Sequence, residues 1–208
     1  NLVFISILAN KLPEDQQKTA RNIGLFLAMF VRIVLLFSLS WIMKLSEPLF
    51  TLLGNELSGR DLILTIGGLF LIFKSTVEIH NHLEGEKDIE KNIKVGFANV
   101  IFQIVLLDII FSLDSVITAI GLVDEINIMI IAIVIAIIFM MIFINTISTF
   151  IEEHPTIKIL ALSFLLLIGI ALIGDGLDMH IPKGYIYFAM AFSTFVEMVN
   201  LKLHKKKH

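Results

Sequence analysis

Cysteine is absent from the 208 residues. That excludes disulfides, thiolate metal sites and a nucleophilic thiol, and it leaves oxygen and imidazole as the donors for any bound metal. Charge is scarce too: Asp, Glu, Lys and Arg make up 17% of the chain and sum to −3, which offers nucleic acid no basic surface. Proline occurs four times, tyrosine twice and tryptophan once. What fills the chain is apolar: 57% hydrophobic residues, 17 of them Phe, with a mean hydropathy of +0.90. Those values lie outside the range of a soluble domain. They describe an all-α, polytopic transmembrane bundle forming a single domain over 1–208, with the lipid bilayer as its surroundings and no room for a separate aqueous domain.

Unbroken apolar runs predict helices over 1–9, 20–43, 61–79, 97–122, 126–150, 157–174 and 185–201. Pro13, Pro48, Pro155 and Pro182 all fall between them, where a helix-breaking residue belongs. Nine residues rise only about 14 Å, under half the hydrocarbon thickness, so the first run reads as the end of a truncated helix. Seven spans are therefore expected. Basic residues fix their orientation because cytoplasmic loops are enriched in them. Lys11, Lys18, Arg21, Lys87, Lys91, Lys94, Lys158, Lys202, Lys205, Lys206 and Lys207 fall on one side, against Lys44, Arg60 and Lys183 on the other. The C-terminus is accordingly expected in the cytoplasm, and EGEKDIEKNIK reads as a solvated cytoplasmic connection.

Two carboxylates interrupt the fourth run, IVLLDIIFSLDSVITAIG. An Asp at a helix centre opposes membrane insertion by about 2.5–3.5 kcal/mol, against roughly 0.3–0.6 gained per Leu or Ile. Residues of this kind face a bundle interior or a water-filled path and serve ions or protons, or else hydrogen-bond neighbouring helices. Six positions apart, Asp108 and Asp114 are separated by about 120° around a straight helix and about 9 Å along it. Asp108 shares a face with Ser112 and Ser115, and Asp114 shares one with Gln103 and Thr118. Either the helix breaks near Ser112, as broken helices do in secondary transporters, or the two carboxylates serve different shells.

A weak internal echo links NLVFISIL at the start with SVITAIGL from Ser115. It predicts two three-span repeats with the seventh helix appended, and a site between them. In that scheme Asn1 corresponds to Ser115, and an acidic residue is expected just upstream of Asn1 with another six positions earlier. Other intramembrane polar residues form an accessory set along the ion pathway. Arg32 and Lys74 either pair with the acidic groups or snorkel and bind carbonyls. Glu78 and His80 read as exposed at the interface, and Asn145 as a link between helices. Asp175, in GDGLDMHIPKGY, lies where it can recruit cations to a vestibule. Glu197 lies deep in the last span, with an interior role left open.

FSLDSVITAIG, HIPKGYIYFAMAFSTFVEMVNL and NLVFISILANKLP together resemble the TerC family of integral membrane proteins over essentially the whole chain. The resemblance implies a seven-helix fold related to the LysE exporter superfamily, in the bacterial inner membrane. It also implies manganese export, with links to tellurite resistance and to calcium transport in some relatives. The family's fourth-span motif, an acidic residue followed six positions later by Asp, is matched by Asp108 and Asp114. Its first-span motif ends in Asp-Asn, of which Asn1 matches the Asn. Asp175 stands where many relatives have Glu.

The chemistry is consistent with that implication, because carboxylate, amide, hydroxyl and carbonyl oxygens suit Mn²⁺, Ca²⁺ and Mg²⁺. The leading expectation is Mn²⁺ efflux by alternating access, with Asp108, Asp114, Asn1, Ser115 and Gln103 as metal ligands. The ion is cargo, and no tightly bound cofactor is expected. The alternatives are a transporter of calcium or another cation, and a non-transporting subunit of a membrane stress complex. An enzyme is not expected, since no nucleophile sits beside its base and no glycine loop or histidine pair marks a phosphate or zinc site.

Overall fold

In the computed structural model, residues 2–38, 47–52, 55–84, 96–122, 125–179 and 181–205 are described; within them, the side chains of 50–52, 55–56, 114, 117–122 and 204–205 are not. Among the described residues, seven helices follow in order, interrupted once by a hairpin. α1 is Leu2–Ala9 and α2 Glu14–Phe37; β1 (Pro48–Leu52) and β2 (Asn55–Ser58) lead into α3, Gly59–Glu84. α4 is Phe97–Leu122, α5 Ile126–Glu153, α6 Pro155–Gly176 and α7 Lys183–Lys205. Five of them, α2, α3, α5, α6 and α7, are long and apolar enough to cross a membrane. α1 has eight residues, and α4 extends over 26 residues with no break at Ser112. The broken-helix alternative for the fourth run is thereby set aside.

The helix ends follow from local chemistry. α2 starts after Pro13 with Glu14 and Asp15 in its first turn, where acidic side chains favour the positive end of the helix dipole. α3 is opened by a capping box: the Asp61 amide donates to Ser58 Oγ (3.2 Å), and the Ser58 amide donates to Asp61 Oδ2 (3.0 Å). Pro155 takes the first position of α6, where its missing N–H is no loss. The same helix ends with Asp178 in the left-handed region (φ 57°) and the Met179 amide bonded to the Gly174 carbonyl at 2.8 Å. This is a Schellman ending with Asp in the position glycine usually takes. The hairpin pairs Pro48 with Ser58 and Leu52 with Asn55, antiparallel. It falls where the sequence reading places only a loop.

Two close approaches organise the bundle. α3 and α6 make its most extensive contact, and a Cβ added to Gly68 would lie 2.5 Å from the Gly169 carbonyl oxygen. Without a hydrophobic drive in lipid, such backbone proximity is what holds spans together. α4 is gripped from two sides: a Cβ on Gly24 of α2 would come within 2.9 Å of Ile104, and one on Gly67 of α3 within 2.5 Å of Ile110. The short α1 is the most enclosed helix, with Phe4, Ile5, Ile7, Leu8 and Ala9 all buried against α2, α4 and α5. α7 packs chiefly on α6 and turns Tyr185, Phe188, Phe192 and Phe195 outward, as a lipid-facing helix does.

Candidate ion-binding site

Asp108 lies eleven residues into the 26-residue α4, about 17 Å along it and so near its middle. Its side chain is only 3% exposed. Two of its neighbours bond it. Arg32 of α2 donates from Nε to Oδ2 at 3.1 Å and from Nη2 to Oδ1, a bidentate fork. Ser112, one turn further along α4 and fully buried, donates its hydroxyl to the same Oδ2 at 3.1 Å. A cavity of about 10 Å³ abuts the carboxylate, lined otherwise by Phe4, Ile5, Ile104, Leu107 and Phe111. That is about the space of one water-sized sphere. The site thus lies where α1, α2 and α4 meet.

The other expected ligands are not gathered around Asp108. Ser115 is exposed, and its hydroxyl donates to the Ser112 carbonyl at 3.1 Å. Gln103 points its amide nitrogen at Asn99 Oδ1 (3.0 Å), while its Oε1 is buried with no hydrogen-bond partner among the described residues. Five positions before Asp108, Gln103 stands on a different face of α4. Asp114 lies within α4, but its side chain is outside the described residues, as is all of Asn1. Among the described residues, no three His, Asp or Glu side chains lie close enough to share a metal.

The accessory set divides similarly. Of the two cations open to pairing, Arg32 takes Asp108, whereas Lys74 on α3 is half-buried and makes no ion pair among the described residues. Glu78 is not exposed as expected: its side chain, 14% exposed, pairs with Lys11 at 2.5 Å. His80 is exposed beside Glu84. Asp175 is half-buried in the last turn of α6. Glu197, also half-buried, sits on the peripheral α7, where Asn200 reaches it at 3.5 Å.

Sequence reasoning missed a second polar cluster. Arg21 donates to Asn10 Oδ1 (3.1 Å), Ser148 Oγ (2.9 Å) and Asn145 Oδ1 (3.2 Å), and Ser148 donates to Asn10. This knot ties the end of α1, the start of α2 and the end of α5, and Asn145 is the helix link expected of it. Arg21 had only its place in a basic loop to mark it, because its partners on α5 are 124 and 127 positions away. The Ser58–Asp61 cap, by contrast, was open to a reading of its Ser-x-x-Asp spacing.

The profile of the integral membrane protein TerC family matches residues 1–207. The chain belongs to the TerC family. Over 208 residues it is 56% identical to a Haemophilus influenzae UPF0053 protein, covering 99% of this chain and 87% of that one. It is 52% identical over 206 residues to the UPF0053 inner membrane protein YgdQ of Escherichia coli, with the same coverage. A longer relative, the inner membrane protein YoaE of Escherichia coli, matches at 47% identity over 96% of this chain and 39% of its own length. No solved structure matches. This TerC-family chain is an integral membrane protein, and its relatives' names together with its apolar helices assign it to the inner membrane.

Proposed function

We propose that the chain exports a divalent metal cation across the inner membrane by alternating access, with Mn²⁺ the first substrate to test. The observation that carries this is Asp108: a carboxylate near mid-helix, 3% exposed, at the junction of α1, α2 and α4 beside a water-sized cavity. Intramembrane carboxylates in such places serve ions, and oxygen donors suit Mn²⁺, Ca²⁺ and Mg²⁺. Asp114, on the same unbroken helix, is assigned to a different shell along the ion's path. Two three-span repeats and an appended α7, seven spans in all and akin to the LysE exporter superfamily, are part of this reading. Pairing α1 with α4, α2 with α5 and α3 with α6 supports it, because each of these pairs is in contact and the α2–α4 contact has its counterpart in α1–α5.

One observation favours a second reading. Asp108 is already neutralised by Arg32, as it would be in a non-transporting membrane subunit whose buried pair only holds helices together. Purified protein in liposomes separates the two. Uptake of Mn²⁺ that unlabelled Mn²⁺ suppresses, with Ca²⁺ and Mg²⁺ as competitors, is the expected result. No flux above that of protein-free vesicles with any of the three ions would end the exporter reading.

A further inference from the structure

Arg21 and Arg32 both lie on α2, yet they are held in opposite ways. Arg21 is fixed by three side chains, Asn10, Asn145 and Ser148, from outside its own helix. The hydrogen bonds of Arg32 all go, among the described residues, to the one carboxylate of Asp108. Its side chain retains 17% exposure while that of Asp108 has 3%, so Arg32 is the less enclosed partner of the pair. Asp108 also accepts the Ser112 hydroxyl, a bond made within α4 and not through Arg32. A guanidinium is charged at any physiological pH and cannot be silenced by losing a proton.

Resting on the assignment of Asp108 to the ion path, we infer that Arg32 is a tethered counter-cation that holds Asp108 in the ion-free protein and is displaced when a divalent ion arrives. A doubly charged ion and the guanidinium repel each other across one carboxylate in a medium of low polarity. Binding is therefore an exchange: the ion takes the two oxygens that Arg32 held, and Arg32 swings from Asp108 on its flexible stem. After release the same arginine returns, so the empty carrier never exposes a bare buried carboxylate. Arg32 acts on the ion through Asp108 and is a positioning residue, setting both affinity and release.

The test measures Mn²⁺ binding to the purified full chain by the loss of the free-ion electron paramagnetic resonance signal. Arg32→Gln removes the competitor and should tighten binding about tenfold or more, while transport turnover falls because release is slowed. Arg32→Lys keeps the charge but loses the two-pronged grip on Asp108, and should tighten binding by less than Arg32→Gln does. If Asp108→Asn abolishes binding but Arg32→Gln leaves it unchanged or weakens it, the counter-cation is refuted and the exporter reading stands. If the unaltered protein binds no Mn²⁺ by this signal and no Ca²⁺ or Mg²⁺ by titration calorimetry, both fall together. Should Arg32→Gln fail to fold, infrared difference spectra of the unaltered protein with isotope-labelled arginine decide the matter. A guanidinium band shifted by Mn²⁺ and missing in Arg32→Lys supports the exchange; no shift on saturation overturns it.

Discussion

Asp108 illustrates what one residue reveals and what it conceals. A carboxylate inside an apolar run stands out in sequence because nothing in lipid can solvate it. Its partner does not: Arg32 is 76 positions away, and no local pattern distinguishes a paired arginine from a snorkelling one. The pairing makes a stability prediction. Arg32→Ala removes the guanidinium from a buried carboxylate and should destabilise the protein by about 3–5 kcal/mol, most of it recovered when Asp108→Asn is added. A double-mutant cycle on unfolding in detergent measures the coupling; additive effects would show the pair to be energetically idle. For function, Asp108→Asn keeps shape and insertion but removes the charge an ion needs. Manganese resistance of cells carrying it should fall to that of cells lacking the protein, with membrane abundance unchanged on immunoblots. Ser115 and Gln103, expected as ligands with Asp108, instead bond locally, because helical periodicity tells which residues share a face, not whether their hydroxyl or amide is spent on a local partner.

At the scale of elements, most apolar runs predicted their helices closely because a bilayer leaves a spanning chain almost no other conformation; the run over 20–43 is the exception, since α2 starts at Glu14, its polar first turns following Pro13, and is capped at Ser38. The run over 97–122 and α4 coincide. The hairpin was missed because β1 and β2 have five and four residues, too short for an alternating pattern to rise above turn signals. The contact of α3 with α6 was equally hidden, since glycines in an apolar run do not say which helix they meet. Its energetics are testable by a matched pair of substitutions. Gly68→Ala drives a methyl to 2.5 Å from a backbone oxygen that cannot rotate away, and should destabilise by about 1–3 kcal/mol. Gly184→Ala meets nothing within 4 Å in the first turn of α7, and should be neutral or stabilising by up to about 1 kcal/mol. Thermal unfolding in detergent ranks the two, and equal shifts would remove close packing as the explanation.

The whole molecule has two ends, and side-chain contacts sort the loops between them. Lys11, after α1, pairs with Glu78 near the end of α3, and Arg21, at the start of α2, reaches Asn145 and Ser148 near the end of α5. Those segments therefore share one end of the bundle, along with Lys158 at the start of α6 and Lys202 near the end of α7. At the opposite end Gly176, closing α6, packs against Asp61 at the start of α3, and Leu36 clusters with Leu113, Val116 and Met129. Since basic residues accumulate on the cytoplasmic side, we propose that the Lys11 end faces the cytoplasm. The ion would then enter from the end tied by the Arg21 knot, pass Asp108, and leave toward the hairpin. A reporter fused after His208 should consequently be active only in its cytoplasmic form, while one inserted beside Glu125 should be active only in its periplasmic form. Paired phosphatase and fluorescent-protein fusions read both positions in the same cells. Finding the two on one side of the membrane would mean that α5, α6 and α7 do not cross it three times, and the direction of export would have to be argued anew.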